Sequence, residues 1–161
     1  DNKDSLLDWK DAERGVPWGV LLLFGGGLSL AAAAQSTGLA AWIGNLMPVG
    51  LSLILLVFMF TTLIVFLTEL TSNLATTATF LPIVAIIATQ FGFDPMLLTA
   101  SIAIAASCAF MLPVATPPNA IVFGSELIKV PQMMKAGIVI NLIAIVIVSL
   151  AGIYLVPKFL I

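Results

Sequence analysis

Two short polar clusters interrupt an otherwise apolar chain. The first is Thr68-Glu69-Leu70-Thr71-Ser72-Asn73, followed by Leu74, and the second is Ala115-Thr116-Pro117-Pro118-Asn119. Their hydroxyls, carboxamides and single carboxylate suit coordination of a hard cation or hydrogen bonding to an anion. Covalent catalysis is poorly served. With no histidine and one cysteine, Cys108, the chain lacks a histidine-based triad, a Cys/His zinc site and an intrachain disulfide. The hydroxyls have no nearby general base and the scattered acids form no pair, so no enzyme is expected. Cys108 reads as a small buried packing residue.

What must position these clusters is a membrane fold. Of the 161 residues, 61% are apolar and 9% charged, against about a quarter charged in soluble domains. Eight charges fall in residues 1–14, and Glu69, Asp94, Glu126, Lys129, Lys135 and Lys158 are scattered over the rest. That nearly charge-free length has room for about four or five membrane segments. A net charge of −2 without a basic run argues against nucleic acid and against a polybasic lipid patch.

Residues 1–17 read as an aqueous loop or short interfacial helix, with Trp9 and Trp18 at headgroup depth. A span over 18–35 should stop at Gln35-Ser36-Thr37-Gly38, because polar residues closed by glycine end helices. Residues 39–47 are too short to cross and read as an interfacial helix ended by Pro48. Two apolar runs, 49–71 and 75–91, meet at the first polar cluster with no aqueous loop between them. They form either two crossings or a re-entrant hairpin over 49–91. Residues 95–125 are uncharged, but Thr116-Pro117-Pro118 cannot lie inside a continuous helix, since both prolines lack a donor and disfavour helical geometry before them. The spacing predicts a discontinuous helix within 96–128, broken into 96–114 and 119–128. The last span falls within 131–157, with an uncharged stretch at 136–156.

Charge placement selects between the two hairpin readings. With a re-entrant hairpin and a cytoplasmic start, Lys3, Lys10, Arg14, Lys129 and Lys135 are all cytoplasmic and the C-terminus is outside; with two crossings the six basic residues divide evenly. The positive-inside rule prefers the first. Irregular backbone at membrane depth is tolerated only where protein or a watery cavity satisfies it. The ends of 49–71 and 96–114 would offer carbonyls suited to Na⁺, and the starts of 75–91 and 119–128 would offer N–H groups suited to an anion. Such paired breaks bind ions and substrate near the midplane of secondary transporters. Asn73 is expected to cap the second hairpin arm and Pro118 to sit in the first turn of the following half-helix. Glu69, an acid inside an apolar run, is either a functional group or a structural hydrogen bond holding the tip.

The stretch Thr68-Glu69-Leu70-Thr71-Ser72-Asn73-Leu74-Ala75-Thr76-Thr77, with Pro113-Val114-Ala115-Thr116-Pro117-Pro118-Asn119-Ala120 and Trp18-Gly19-Val20-Leu21-Leu22-Leu23-Phe24-Gly25-Gly26-Gly27, resembles the C-terminal half of divalent anion–sodium symporters. That resemblance implies an all-α membrane protein, one half of an inverted-repeat elevator transporter that works as a homodimer. In it, 18–47 belongs to a fixed scaffold and 48–161 to a mobile transport domain. It implies Na⁺ at Thr68, Thr71, Asn73 and Ala115, and a small carboxylate dianion at Ser72, Asn73, Thr116 and Pro117. No other cofactor is implied. Glu69, Leu74, Pro118 and Asn119 are accessory positions; many members have Thr where this chain has Leu74, so a hydroxyl contact is absent there.

The resemblance also implies a second hairpin and broken helix, and neither motif recurs in this sequence. The expectation is a fragment of a longer protein, which cannot transport alone; association of two half-length chains is the alternative. Citrate, sulfate or arsenite as the anion, or proton coupling with Glu69 as carrier, are alternatives within transport. A non-transporting membrane-packing protein is the alternative outside it. The expected location is a plasma or bacterial inner membrane.

Overall fold

A computed structural model of the chain describes residues 8–39, 42, 45 and 50–160. Every element among them is helical: α1 (Trp9–Gly15), α2 (Trp18–Ser36), α3 (Leu53–Thr68), α4 (Asn73–Gln90), α5 (Pro95–Ala105), α6 (Pro117–Gly124), α7 (Val130–Tyr154) and α8 (Val156–Phe159). The interfacial helix expected over 39–47 and the start of the chain, with Lys3, lie largely outside the described residues.

The amino-terminal signals act where the sequence puts them. The Asp8 carboxylate accepts from Asp11 N–H at 2.8 Å and caps α1. The Trp9 and Trp18 rings meet at 5.7 Å, and Trp18 Nε1 donates to Glu13 O at 3.1 Å, which fixes the corner into α2. Thr37 ends α2, its hydroxyl donating to Ala33 O at 2.7 Å, and Gly38 takes φ +73°, a conformation glycine adopts without a Cβ penalty.

α2 packs on α4, which also packs on α5, while α3 packs on α5 and α7. The core is built from these surfaces: Leu56, Val57, Phe60, Ile64 and Val65 of α3, Val84 and Ile87 of α4, Leu98 and Ile102 of α5, and Ile145 and Val148 of α7. Outward from it α7 exposes Val139, Leu142, Ile143, Val146, Ile147 and Leu150. Water would not tolerate so continuous an apolar face; hydrocarbon does. α4 (18 residues) and α7 (25 residues) are long and apolar enough to cross a membrane. α3 has 16 residues, about 24 Å at 1.5 Å per residue, short of a ~30 Å hydrocarbon layer.

One helix contact has a cause that the sequence does not advertise. Pro82 lies inside α4 and has no N–H to donate to the carbonyl four residues back, that of Ala78. Gly27 of α2 approaches that carbonyl so closely that a Cβ on Gly27 would strike Ala78 O. Gly25 and Gly26 have open space at the same test. Gly27→Ala should therefore destabilise the fold by about 1–3 kcal/mol through overpacking, whereas Gly26→Ala leaves the thermal unfolding midpoint unchanged or slightly raised. Equal midpoints for the two variants would contradict this packing.

The polar clusters break the helices as expected, with three corrections. The cap of α4 is Ser72, whose Oγ accepts from Ala75 N–H at 3.1 Å; Asn73 is already the first helical residue. The first half of the discontinuous helix ends at Ala105, not at 114, because the N–H groups of Phe110, Met111 and Leu112 donate to a side chain of the turn between α3 and α4. The second half starts at Pro117 and ends at Gly124, not 128: Ser125 Oγ donates back to Val122 O at 2.7 Å, and Glu126 turns to φ +60°. Pro118 does lie in the first turn of that half-helix.

Candidate functional site

The tip between α3 and α4 and the non-helical segment 106–116 are tied by one carboxylate. Glu69 is 4% exposed. Its Oε1 accepts from Phe110 N–H at 2.7 Å, Met111 N–H at 2.9 Å and Asn141 Nδ2 at 2.7 Å, and Oε2 accepts from Leu112 N–H at 3.0 Å. All four partners are donors. Three successive backbone N–H groups converging on an anion form a nest, and here the anion is supplied by the protein.

The carbonyls of the same segment have their own partner. Asn119, buried in α6, donates from Nδ2 to Ala109 O at 2.9 Å and Leu112 O at 3.0 Å. Irregular backbone inside the fold is thus served from both sides, three of its N–H groups by Glu69 and two of its C=O groups by Asn119, as a buried chain requires. Thr68, fully buried at the end of α3, lies 2.8 Å from both Ala106 O and the Asn73 side-chain amide. The Asn73 atom facing it is the side-chain oxygen Oδ1, so the single hydroxyl hydrogen of Thr68 serves two competing acceptors.

Glu69, Thr71, Ser72, Ala115, Thr116 and Pro117 line one cleft of about 520 Å³, inside the size range of small-molecule sites, about 300–1,000 Å³. The sequence-predicted tip and break residues are therefore brought together. Thr71 Oγ1 donates to Leu67 O at 3.0 Å and lies 2.6 Å from Thr76 Oγ1, which anchors it to both hairpin arms. Thr116 caps α6, its Oγ1 accepting from Asn119 N–H at 3.4 Å. Thr68, Asn73, Leu74, Pro118 and Asn119 are not on the cleft wall.

The polarity of the two helix starts is unequal. α6 opens with Pro117 and Pro118, which have no N–H, and the Asn119 N–H is committed to Thr116. Only the start of α4 presents backbone donors, since Asn73 and Leu74 occupy positions with no carbonyl behind them in the helix. The anion-suited end expected at the second break is thus confined to its dipole, and the hairpin tip carries the donors.

Sequence reasoning missed Asn141. The signal was present as a carboxamide in the middle of an apolar span, where polar side chains act as interhelical ties. Gly137, one turn earlier, was missed as well; a Cβ there would overlap the Phe110 carbonyl oxygen. The sequence could not give either partner, because Glu69 and Asn141 lie 72 positions apart.

A helical chain with an apolar outer face, whose two polar clusters line one cleft, has the architecture of an integral membrane protein. It belongs to the sodium:sulfate symporter family, whose transmembrane-region model matches residues 4–160. It is 45% identical over 157 residues to the sodium-dependent dicarboxylate transporter SdcS of Staphylococcus saprophyticus, an alignment covering 96% of this chain and 30% of that protein. It is 48% identical over 154 residues to SdcS of Staphylococcus aureus strain MRSA252, covering 94% of this chain and 29% of that protein. The chain thus spans under a third of the length of these relatives. Both are transporters rather than enzymes, in line with the chemistry the residues allow.

Proposed function

We propose that this chain forms the C-terminal half of the solute site of a transporter that couples Na⁺ to uptake of a dicarboxylate such as succinate, malate or fumarate. The observation that carries the proposal is the shared cleft, in which the Ser72 tip and the Thr116-Pro117 break face one space beside the buried Glu69 carboxylate. A dianion entering there meets a like charge, so it binds favourably only with compensating cations. Na⁺ at Thr68, Thr71, Asn73 and Ala115, of which Thr71 and Ala115 line the cleft, supplies that compensation, and the dianion takes Ser72, Thr116 and Pro117 on the cleft wall together with Asn73, next to Ser72 in the chain. Binding that requires both solutes is coupling in the thermodynamic sense.

The hairpin of α3 and α4 is re-entrant in this reading, which the short α3 supports. Lys10, Arg14, Lys129 and Lys135 are then cytoplasmic, with the C-terminus outside, in a plasma membrane. The segment 48–161 moves as half of a transport domain past a scaffold that includes 18–47, an N-terminal half completes the site, and the full transporter is an elevator-type homodimer.

The test is sodium-dependent protection of a cysteine at position 72. With Cys108 replaced by Ser and Ser72→Cys in the full-length transporter, Na⁺ plus succinate should slow labelling by a membrane-permeant thiol reagent about tenfold relative to choline plus succinate. Labelling at the same rate in both salts would overturn the site and favour a protein in which the breaks are packing kinks. Succinate uptake that persists without Na⁺ would assign the chain to a proton-coupled relative instead.

A further inference from the structure

Asn141 lies in the middle of α7, fully buried and off the cleft wall. Its Nδ2 donates to Glu69 Oε1 at 2.7 Å, whereas its Oδ1 has no hydrogen-bond partner among the described residues. An orphaned buried oxygen is unfavourable, and a leucine of similar size would pack there without one. The position therefore keeps its carboxamide for the donor. Four residues earlier, on the same helix face, Gly137 lies against the backbone of Phe110 and Met111. Thus α7 touches the broken segment with its bare backbone and reaches the hairpin tip with its amide, at one junction.

We propose that Asn141 is a positioning residue: by holding the Glu69 carboxylate in its nest, it sets the spacing between the Ser72 tip and the Thr116 break, and so the affinity of the cleft for its solutes. Glu69 has two further contacts to Oε1 and one to Oε2, all three from the broken segment. The Asn141 donor comes from a different helix and fixes the remaining freedom of the carboxylate. Through it, α7 is mechanically linked to a cleft it does not line. The consequence for affinity rests on the transport reading above; the consequence for spacing rests on geometry alone.

The experiment compares wild type, Asn141→Leu, Asn141→Asp, Glu69→Gln and the double variant E69Q/N141L of the full-length transporter in proteoliposomes. Asn141→Leu and Asn141→Asp should each raise the half-saturating concentrations of Na⁺ and succinate about tenfold, with maximal rate per folded protein kept within about twofold. E69Q/N141L should be no more than about twofold worse than the worse single variant, because both loosen the same junction, from the Oε2 side in one case and the Oε1 side in the other. Effects that multiply, or a fall in maximal rate at unchanged half-saturation, would overturn the proposal. A parallel readout uses Ser72→Cys labelling without solutes: Asn141→Leu and Glu69→Gln should each speed it, and together by no more than about twofold over the faster single variant. Wild-type labelling rates in Asn141→Leu would overturn the proposal even if succinate proves not to be the solute, and wild-type protein that takes up no succinate while the labelling pattern holds would discard only the transport reading.

Discussion

Asn73→Ala in the full-length transporter is expected to reduce Na⁺-dependent succinate uptake by about 100-fold or more, to the level of empty vesicles, while leaving the protein folded. The two effects separate because Asn73 has two different attachments. For the fold, it contributes one side-chain contact, at 2.8 Å to Thr68 Oγ1, and Thr68 retains its bond to Ala106 O when the amide is removed. The cost to stability is then about 1 kcal/mol. For function, the alanine removes the tip carboxamide, which is proposed above as a ligand shared by the cation and the dianion. Uptake assays in sodium and choline media, with unfolding midpoints measured on the same preparations, check both halves. Uptake at the wild-type rate would sink the site assignment, whereas a collapse of the midpoint would show that Asn73 is chiefly structural.

The places where this fold breaks were legible because local chemistry enforces them. Thr37-Gly38 stops α2, the run from Glu69 to Ser72 separates the hairpin arms, and Pro117-Pro118 can only begin a helix. How far each helix runs up to its break was less legible. Nothing local stops α5 at Ala105; Pro113 is the first obstacle downstream, and an end at 114 follows from it. The helix stops earlier because the Phe110, Met111 and Leu112 N–H groups find a stronger acceptor 41 to 43 positions away. A charged acceptor is worth more than a carbonyl in a low-dielectric interior, so tertiary contact overrides local propensity.

The candidate site divides along the same line. Types and spacing placed Thr71, Ser72, Ala115, Thr116 and Pro117 on it, and the fold brings them to one cleft. The proline pair was half understood: it opens a helix, but it also deletes the donors that a helix start would offer an anion. For Glu69, two roles were left open by sequence; its hydrogen bonds tie the tip to the broken segment, and it also lines the cleft. Asn141 and Pro82 carried visible signals, a carboxamide in an apolar helix and a proline inside another, yet each takes its meaning from a partner far away in the chain, Glu69 in one case and Gly27 in the other.

Because Glu69 joins three parts of the chain, Glu69→Leu should be far more damaging than its single acid suggests. It leaves the N–H groups of Phe110, Met111 and Leu112 and the Nδ2 of Asn141 without their acceptor, in surroundings where the replaced side chain is only 4% exposed. Each abandoned donor costs about 1–3 kcal/mol, so even with water recovering part of it the loss should reach about 4 kcal/mol, against a total stability of about 5–15 kcal/mol for a typical domain. Glu69→Gln is the control. Its oxygen can retain the Phe110 and Met111 donors, but its amide nitrogen meets the Leu112 N–H donor to donor, so an intermediate loss is expected. Thermal unfolding in detergent ranks the three proteins, and amide exchange at 110–112 should quicken in the order wild type, Glu69→Gln, Glu69→Leu. A Glu69→Leu protein with wild-type stability but no uptake would reverse the assignment, because the carboxylate would then serve the transported solutes rather than the backbone that surrounds it.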